Sequence, residues 1–349
     1  MPDAILGTQI VAAPMAGGTS TVAFIGAVYR AGGLGFLAAG YKTVAAMAEE
    51  IRQARELGVR FGLNIFVPDR DQLNPPPAVR AELERYRAEL QRDAARFGVD
   101  IPPLRLDDDD AWEGKIDALE ADPVELVSFT FGLPGSRTVA ALKRAGTTVI
   151  ATITSADEAQ LAAEKGVDAL VVQHSSAGGH SAAFLRRGTP SGGSPSDGSR
   201  TTAELVTRVR AAVGLPLIAA GGIMDRRAVE TSIASGAAAA QLGTAFLRTD
   251  ESGARQLHKD ALADPGYTKT QLTRSFTGKQ ARALSNTFVR DHGDAPEGYP
   301  AIHHLTSPIR AAAAAAGDPE RLNLWAGTGW RDAKEGTVSD VISGLVNGS

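Results

Sequence analysis

The chain has 349 residues, of which 43% are hydrophobic and 22% are charged, the balance of a globular protein that buries a sizeable core. Its formal net charge of −4 makes nucleic acid and anionic membrane surfaces poor partners, and the absence of cysteine excludes disulfides, thiolate catalysis and iron–sulfur ligation. The sequence contains neither a signal-peptide pattern nor an apolar run long enough to span a bilayer, so we expect a cytoplasmic protein with no membrane partner.

Short apolar segments alternate with helical segments from residue 10 onward. A strand begins at Ile10 and is followed by a helix from residue 22 to residue 30. A second strand over 34–37 and a third over 61–67 flank a helix over 43–57. This alternation is typical of βα units.

Residues 69–122 interrupt the alternation. They are rich in charge and proline and have a helical pattern from 77 to 97, so we interpret them as a helical excursion. The acidic run at 107–110 is typical of a solvated helix start, because four consecutive carboxylates point in different directions and are poorly placed to share a metal ion.

The alternation resumes at residue 126 and predicts five more strands, which cover 126–131, 147–153, 169–173, 216–223 and 237–246. Eight βα units predict a closed (β/α)₈ TIM barrel of the α/β class, with its active site at the carboxyl ends of the strands. The alternative, a doubly wound open sheet, would need Gly-x-Gly-x-x-Gly after the first strand, and residues 14–18 do not supply it.

We divide the chain into a barrel with its excursion, residues 1–250, and an added C-terminal lobe that is helical and then irregular, residues 251–349. The segment 185–200 is rich in Gly, Ser and Pro. That composition indicates a mobile loop within the barrel, and we expect it to act as a lid over the site.

The stretch 169–180 ends in a Gly-Gly-His loop. Its apolar strand stops at Gln173, and the loop that follows leads to His180. Because Gly178 and Gly179 carry no Cβ, a flat ligand could approach the backbone while the loop aims the imidazole back at it. His180 is therefore a candidate catalytic base, and the alternative is a structural histidine in an ordinary surface loop.

Two glycine turns follow the seventh and eighth strands, at Gly221 and Gly222 and at Gly243 and Thr244. Backbone N–H groups at these two strand ends form the phosphate site of many barrels. The turns offer a site for one terminal phosphate, and no turn suits the pyrophosphate of a dinucleotide. If the cofactor is a flavin, we therefore predict FMN and not FAD.

A flat ring that extends from such a phosphate across the barrel mouth would pass Pro14, Met15, Asn64 and Gln173 before it comes near His180. The amides of Asn64 and Gln173 can donate and accept hydrogen bonds along the edge of an isoalloxazine. These residues therefore suit a flavin.

The chain resembles the nitronate monooxygenase family, formerly called 2-nitropropane dioxygenases, over nearly its whole length. The motifs that carry the resemblance are Ala-Pro-Met-Ala-Gly-Gly at 13–18, Gly-Leu-Asn-Ile-Phe-Val-Pro at 62–68, the loop 173–180, Ala-Ala-Gly-Gly-Ile at 219–223, Gln-Leu-Gly-Thr-Ala-Phe at 241–246, Thr-Arg at 273–274, Gly-Tyr-Pro at 298–300 and Leu-Trp-Ala-Gly at 324–327. The resemblance implies noncovalent FMN and an added, mostly helical lobe that covers the substrate at the barrel mouth. It also implies oxidation of alkyl nitronates, or of nitroalkanes, by dioxygen to a carbonyl compound and nitrite.

The resemblance also implies roles for single residues. By it His180 is the catalytic base, Ala16, Ala177 and Gln241 join the cofactor contacts, and Tyr299 and Trp325 lie near the substrate. We assign no metal, because His292 and the adjacent His303 and His304 have no carboxylate at ligand spacing.

This chain departs from the family pattern at His174 and Ser176, where members usually have glycine and glutamate. Both positions lie in the loop beside the expected ring, so we place them among the substrate contacts. Residues 325–329, Trp-Ala-Gly-Thr-Gly, also differ from the commoner Gly-Gln after the alanine.

Three functions follow from these observations: a nitronate monooxygenase, an NAD(P)H-dependent flavin reductase of quinones or enoyl thioesters, and a non-catalytic flavin-binding protein. The first has a small nitronate or nitroalkane and dioxygen as partners, and a homodimer is a further expectation. If His180 is a base, the rate on a nitroalkane should rise with pH as the imidazole becomes neutral, within about one or two pH units of the ordinary histidine pKa of about 6.5.

Overall fold

The computed structural model describes residues 6–185 and 198–347, and its main feature is a closed barrel of eight parallel strands. In chain order the strands are β1 (Ile10–Ala12), β2 (Leu34–Ala38), β3 (Phe61–Phe66), β4 (Leu126–Thr130), β5 (Thr148–Ile153), β6 (Ala169–Gln173), β7 (Gly179–His180), β8 (Leu217–Ala220), β9 (Ala239–Leu242), β10 (Thr270–Thr273) and β11 (Ala281–Leu284). Strands β1 to β6, β8 and β9 form the barrel, which closes where Ile10 pairs with Ala240. The predicted TIM barrel is confirmed.

Helices follow the barrel strands and fill the excursion and the tail. They are α1 (Val22–Arg30), α2 (Val44–Glu56), α3 (Arg70–Leu73), α4 (Pro77–Glu89), α5 (Gln91–Phe97), α6 (Trp112–Ala121), α7 (Ser136–Arg144), α8 (Ala156–Glu164), α9 (Thr202–Ala212), α10 (Arg226–Ala234), α11 (Gln256–Ala263), α12 (Thr287–Asp291), α13 (Ala301–Ala315) and α14 (Val338–Asn347). Several start at a side-chain cap, as where Thr21, Ser155 and Asp225 accept a hydrogen bond from the backbone N–H three residues later.

Alternate residues of the barrel strands enter two different cores. Phe36, Leu126, Ile150, Val171 and Ile218 belong to one buried cluster of strand side chains, which fills the barrel interior. Their neighbours along the strands pack outward against the helices in a second cluster. Because both faces of each strand are buried, the strands read as nearly continuous apolar runs, which is why the sequence pattern locates them.

The excursion and the C-terminal tail form one lobe. Leu83 and Tyr86 of α4 share a buried cluster with Phe276, Phe288 and Ile302 of the tail. The hydroxyl of Tyr86 donates a hydrogen bond to the carbonyl oxygen of Ser275 at 2.6 Å. The excursion is therefore part of the covering lobe and not only an insertion in the barrel.

The tail differs from the predicted lobe in two respects. Its last helix, α14, packs on α1 and buries Val338, Ile342 and Leu345 in the barrel core. Its irregular part contains β10 and β11, which form a three-stranded sheet with β7. The division at residue 250 stays a prediction.

In the described ranges no helix is both long and apolar enough to cross a membrane. The predicted lid over 185–200 lies largely outside the described residues, which stop at 185 and resume at 198.

Candidate active site

A cavity of about 350 Å³ opens at the carboxyl ends of the barrel strands, within the size range of cofactor and substrate sites. His180 and Trp325 line it. The other predicted substrate contacts, His174, Ser176 and Tyr299, are not among the lining residues. The predicted cofactor contacts all line it, and they are Pro14, Met15, Ala16, Asn64, Gln173, Ala177, Gly178, Gly179, Gly221, Gly222, Gln241, Gly243 and Thr244. The fold thus brings residues that are far apart in the sequence to one cavity.

A polar layer forms the cavity end of the barrel interior. The alternation that places apolar side chains inside β3 to β6 continues with Asn64, Ser128, Thr130, Thr152 and Gln173. Asn64 is only 2% exposed, and its Nδ2 donates to Ser128 O at 3.1 Å and to Thr130 Oγ1 at 2.9 Å. Its side-chain oxygen Oδ1 accepts no hydrogen bond from the described residues, which leaves it available to a donor on a bound ring.

Gln173 fixes the Gly-Gly-His loop. Its Nε2 donates to the carbonyl oxygen of His180 at 3.1 Å, and its Oε1 accepts from the backbone N–H of Ala182 at 2.8 Å. Both ends of the amide are thus engaged within the loop. Gln173 therefore positions His180, a role that the sequence does not indicate.

The two glycine turns present unused backbone donors. Gly221 and Gly222 have φ values of 112° and 67°, a region that favours glycine. The N–H groups of Gly221, Gly222, Gly243 and Thr244 donate no hydrogen bond to any described residue, and all four residues line the cavity. Convergent free N–H groups of this kind bind anions.

The tail closes the cavity next to these turns. A Cβ at Gly178 would lie 2.6 Å from the backbone nitrogen of Gly327, so glycine is needed at 178 because the tail packs against it. Thr244 Oγ1 accepts a hydrogen bond from the N–H of Gly327 at 3.0 Å. From the sequence, glycine at 178 was expected to leave room for a flat ligand. In the structure it is required because the backbone of the tail packs against it.

His174 and Ser176 contact each other and the first glycine turn. His174 is buried, its Nε2 donates to Ser199 O at 3.1 Å, and its Nδ1 lies 2.8 Å from Ser176 Oγ. Burial lowers the pKa of His174. A Cβ at Gly222 would lie 2.9 Å from Ser176 Oγ, so the pair packs against the glycine turn, and its contact with the substrate stays a prediction.

His180 is held in strand β7, which pairs with β11 so that His180 lies opposite Ala281. Its Nε2 is 2.9 Å from Thr277 Oγ1. Burial, followed by the positive charges of Lys279 and Arg310, lowers the pKa of His180 to about 3. The imidazole is therefore neutral at physiological pH, and the expectation of a pKa near 6.5 is wrong.

Aromatic rings surround His180. The centroids of Trp325, Phe131 and Tyr299 lie 5.2, 5.5 and 6.0 Å from that of its imidazole. Phe131 and the cavity residue Tyr41 have φ values of 76° and 67°, which are unfavourable for non-glycine residues. Such backbone strain is typical of functional sites. The rings of Phe131, Tyr299 and Trp325 form a largely apolar wall around His180.

The cavity lining carries positive charge. Arg255 and Arg310 line it, whereas no aspartate or glutamate of the described residues does. Half-buried Lys279 lies near its edge, with Nζ 4.7 Å from the ring centroid of Phe131. The site therefore suits a neutral or anionic ligand.

Several lining residues were missed in the sequence, namely Tyr41, His258, Thr277, His303 and Arg310. The acidic run was also misinterpreted, because Asp108 Oδ2 lies 2.7 Å from His304 Nε2 and Asp110 Oδ1 accepts from the N–H of Tyr41 at 2.8 Å. The run thus fastens the excursion to the cavity wall instead of ending in solvent.

Histidines of the lobe have carboxylate partners that the sequence spacing concealed. His292 Nε2 lies 2.9 Å from Asp93 Oδ2, and Arg321 Nε donates to Asp93 Oδ1 at 2.6 Å. Across residues 6–185 and 198–347 there is no group of three or more His, Asp or Glu side chains suited to a metal ion.

Comparisons with known proteins agree with this geometry. The family model for nitronate monooxygenase matches residues 2–348. A probable nitronate monooxygenase of Staphylococcus aureus (strain Newman) is 36% identical over 343 residues, which cover 97% of this chain and 93% of the relative. Nitroalkane oxidase from Streptomyces ansochromogenes matches with a TM-score of 0.91 at 43% identity, over 99% of this chain and 96% of that chain. FabK from Thermotoga maritima, with a TM-score of 0.72 at 23% identity over 98% and 93%, is similar in fold.

Proposed function

Because the chain belongs to the nitronate monooxygenase family, whose members are flavin oxidoreductases, we propose that it oxidises alkyl nitronates with bound FMN and dioxygen, releasing a carbonyl compound and nitrite. One observation carries the proposal: the free N–H groups of two glycine turns, a polar barrel layer and His180 border a single cavity. The similarity to a nitroalkane oxidase supports a nitro compound or its anion as the substrate.

The residues of the cavity fit FMN. The phosphate would be held by the backbone N–H groups of Gly221, Gly222, Gly243 and Thr244. The side-chain oxygen Oδ1 of Asn64 would accept a hydrogen bond from the ring. Bound FMN would supply an acceptor for the electrons of the substrate and a donor of those electrons to dioxygen. The protein supplies the binding, the orientation and the electrostatic environment.

His180 handles protons at the substrate. Its neutral imidazole keeps a lone pair on one ring nitrogen, and Thr277 and Gln173 hold the residue in place. A pKa of about 3 makes His180 a weak base, so a nitronate, which has already lost its α-proton, suits this site better than a nitroalkane. The neighbouring rings of Phe131 and Trp325 would contact an alkyl chain and exclude water.

The direct test mixes the flavin-loaded protein without oxygen, first with an alkyl nitronate and then with NADPH or NADH. We expect the nitronate to bleach the flavin rapidly and the nicotinamides to do so slowly. Rapid bleaching by NADPH or NADH alone would favour the flavin reductase. Slow reduction by every donor would favour a non-catalytic flavin-binding protein.

A further inference from the structure

The side chain of Arg310 is half-buried, lines the cavity and has no carboxylate of the described residues as counter-ion. Its guanidinium donates to neutral acceptors only: Nε to Thr306 Oγ1 at 3.2 Å, one terminal nitrogen to His303 O at 3.0 Å and to Ser307 Oγ at 2.8 Å, and the other to Asn323 Oδ1 at 3.4 Å. It forms no ion pair with a carboxylate in the described part of the chain. A cation that is partly removed from water without a carboxylate partner favours an anionic ligand in the cavity.

Arg321 of the same lobe shows the usual arrangement. Its Nε lies 2.6 Å from Asp93 Oδ1, and a terminal nitrogen lies 3.5 Å from Asp291 Oδ2. Lys115, likewise buried, lies 2.8 Å from Asp110 Oδ2. These cations are paired with carboxylates within the protein, whereas in the described part of the chain Arg310 has no carboxylate partner and faces the cavity.

Nearby protein groups do not provide the missing negative charge. Desolvation raises the pKa of Tyr41 to about 12 and that of Tyr299 well above its usual range, so both hydroxyls are neutral. In addition to burial, the positive charges of Lys279 and Arg310 lower the pKa of His180. The field at the reacting end of the cavity is therefore positive.

We propose that Arg310 is a substrate-binding residue that pairs with the negative charge of the nitronate, so that the enzyme selects the anion over the neutral nitroalkane. The least occupied donor is the terminal nitrogen near Asn323, whose 3.4 Å contact is long and leaves an N–H for the ligand. This inference rests on the proposed function, because it names the charge state of that substrate.

Nitrate is a suitable probe, because it is planar, spreads one negative charge over its oxygens as a nitronate does, and is not oxidised. It is titrated by calorimetry into the flavin-loaded protein, in which the phosphate site is already filled. The variants are Arg310→Met, Arg310→Lys as the conservative change, and Arg85→Met as a control. Arg85 is exposed on α4, and its guanidinium lies 3.8 Å from Glu82.

We expect Arg310→Met to weaken nitrate binding and to raise KM for the nitronate by about 10- to 100-fold, the ratio typical of a hydrogen bond to a charged group, with a smaller change in kcat. Arg310→Lys should recover part of the affinity, and Arg85→Met should behave as wild type. A properly folded, flavin-loaded Arg310→Met with unchanged nitrate affinity and unchanged KM would overturn the inference. If wild type binds nitrate through Arg310 but does not oxidise nitronates, the anion site stands and the proposed function fails.

Discussion

The Nε2 atom of His180 lies 2.9 Å from the hydroxyl oxygen of Thr277, across a distance of 97 residues in the chain. The contact exists because β7 pairs with β11, the strand that follows Thr277 in the lobe. The barrel loop that carries His180 is thus held by the lobe that the excursion and the tail form, and changes in either part should alter the position of the imidazole.

His180→Asn should separate two substrates. Asparagine keeps hydrogen-bonding capacity but cannot accept a proton near neutral pH, so oxidation of a nitroalkane should fall by about 10²- to 10⁴-fold. Oxidation of the preformed nitronate should change much less, and flavin content should stay the same. Oxygen consumption with each substrate measures both rates, and an equal loss of the two would assign His180 to binding or loop structure instead.

The pH profile for a nitroalkane should show no step from His180 near pH 6.5. Burial, Lys279 and Arg310 lower its pKa to about 3, so the imidazole is neutral above that value and gains a proton only as the pH falls through it. The base form is therefore present at constant level from pH 5 to 9. Initial rates at saturating, freshly dissolved nitroalkane check this, and a sigmoidal rise centred near 6.5 that disappears in His180→Asn would refute it.

Gly222→Val should release the flavin. A Cβ at this position would lie 2.9 Å from Ser176 Oγ, and its φ of 67° is unfavourable for a β-branched residue. We expect the dissociation constant for FMN to rise by about 10-fold or more, which corresponds to roughly 1.4 kcal/mol or more. Gly214→Val is the matched control, because a Cβ there meets no atom within 4 Å. Equal FMN retention by both variants would contradict the phosphate site at this turn.

His174 and Ser176 should act as a pair. Their side chains are 2.8 Å apart, and together they position the loop above Gly222. His174→Ala and Ser176→Ala should each lower FMN affinity, and the double variant should lose less than the sum, with a coupling of about 0.5–3 kcal/mol. Fluorescence titration of the apoproteins with FMN measures the cycle. Strict additivity would show that the hydrogen bond does not matter for the cofactor.

The barrel and many of the residues that line its cavity were predictable because they depend on local patterns. Buried parallel strands read as apolar runs, and glycine turns such as Gly221 and Gly222 follow them directly. The polar side chains of Asn64 and Gln173 interrupt those runs at the strand ends, where a barrel binds its ligands.

The rest of the site was not predictable because it depends on tertiary packing. Arg310 lies on α13, whose alanine-rich sequence reads as an ordinary helix core, and only the folded lobe brings it to the cavity. The pKa of His180 depends on Lys279 and Arg310, which are distant in the sequence. Strands β10 and β11 have four residues each, too few for a clear alternating pattern.

Product analysis under air tests the central claim most directly. The flavin-loaded protein is supplied with an alkyl nitronate, and nitrite, the carbonyl compound and dioxygen consumption are measured together. The account predicts that nitrite and the carbonyl compound appear in equal amounts while dioxygen is consumed, and that no nicotinamide is required. Dioxygen uptake that depends on NADPH or NADH, with no nitrite formed from any nitronate, would contradict it.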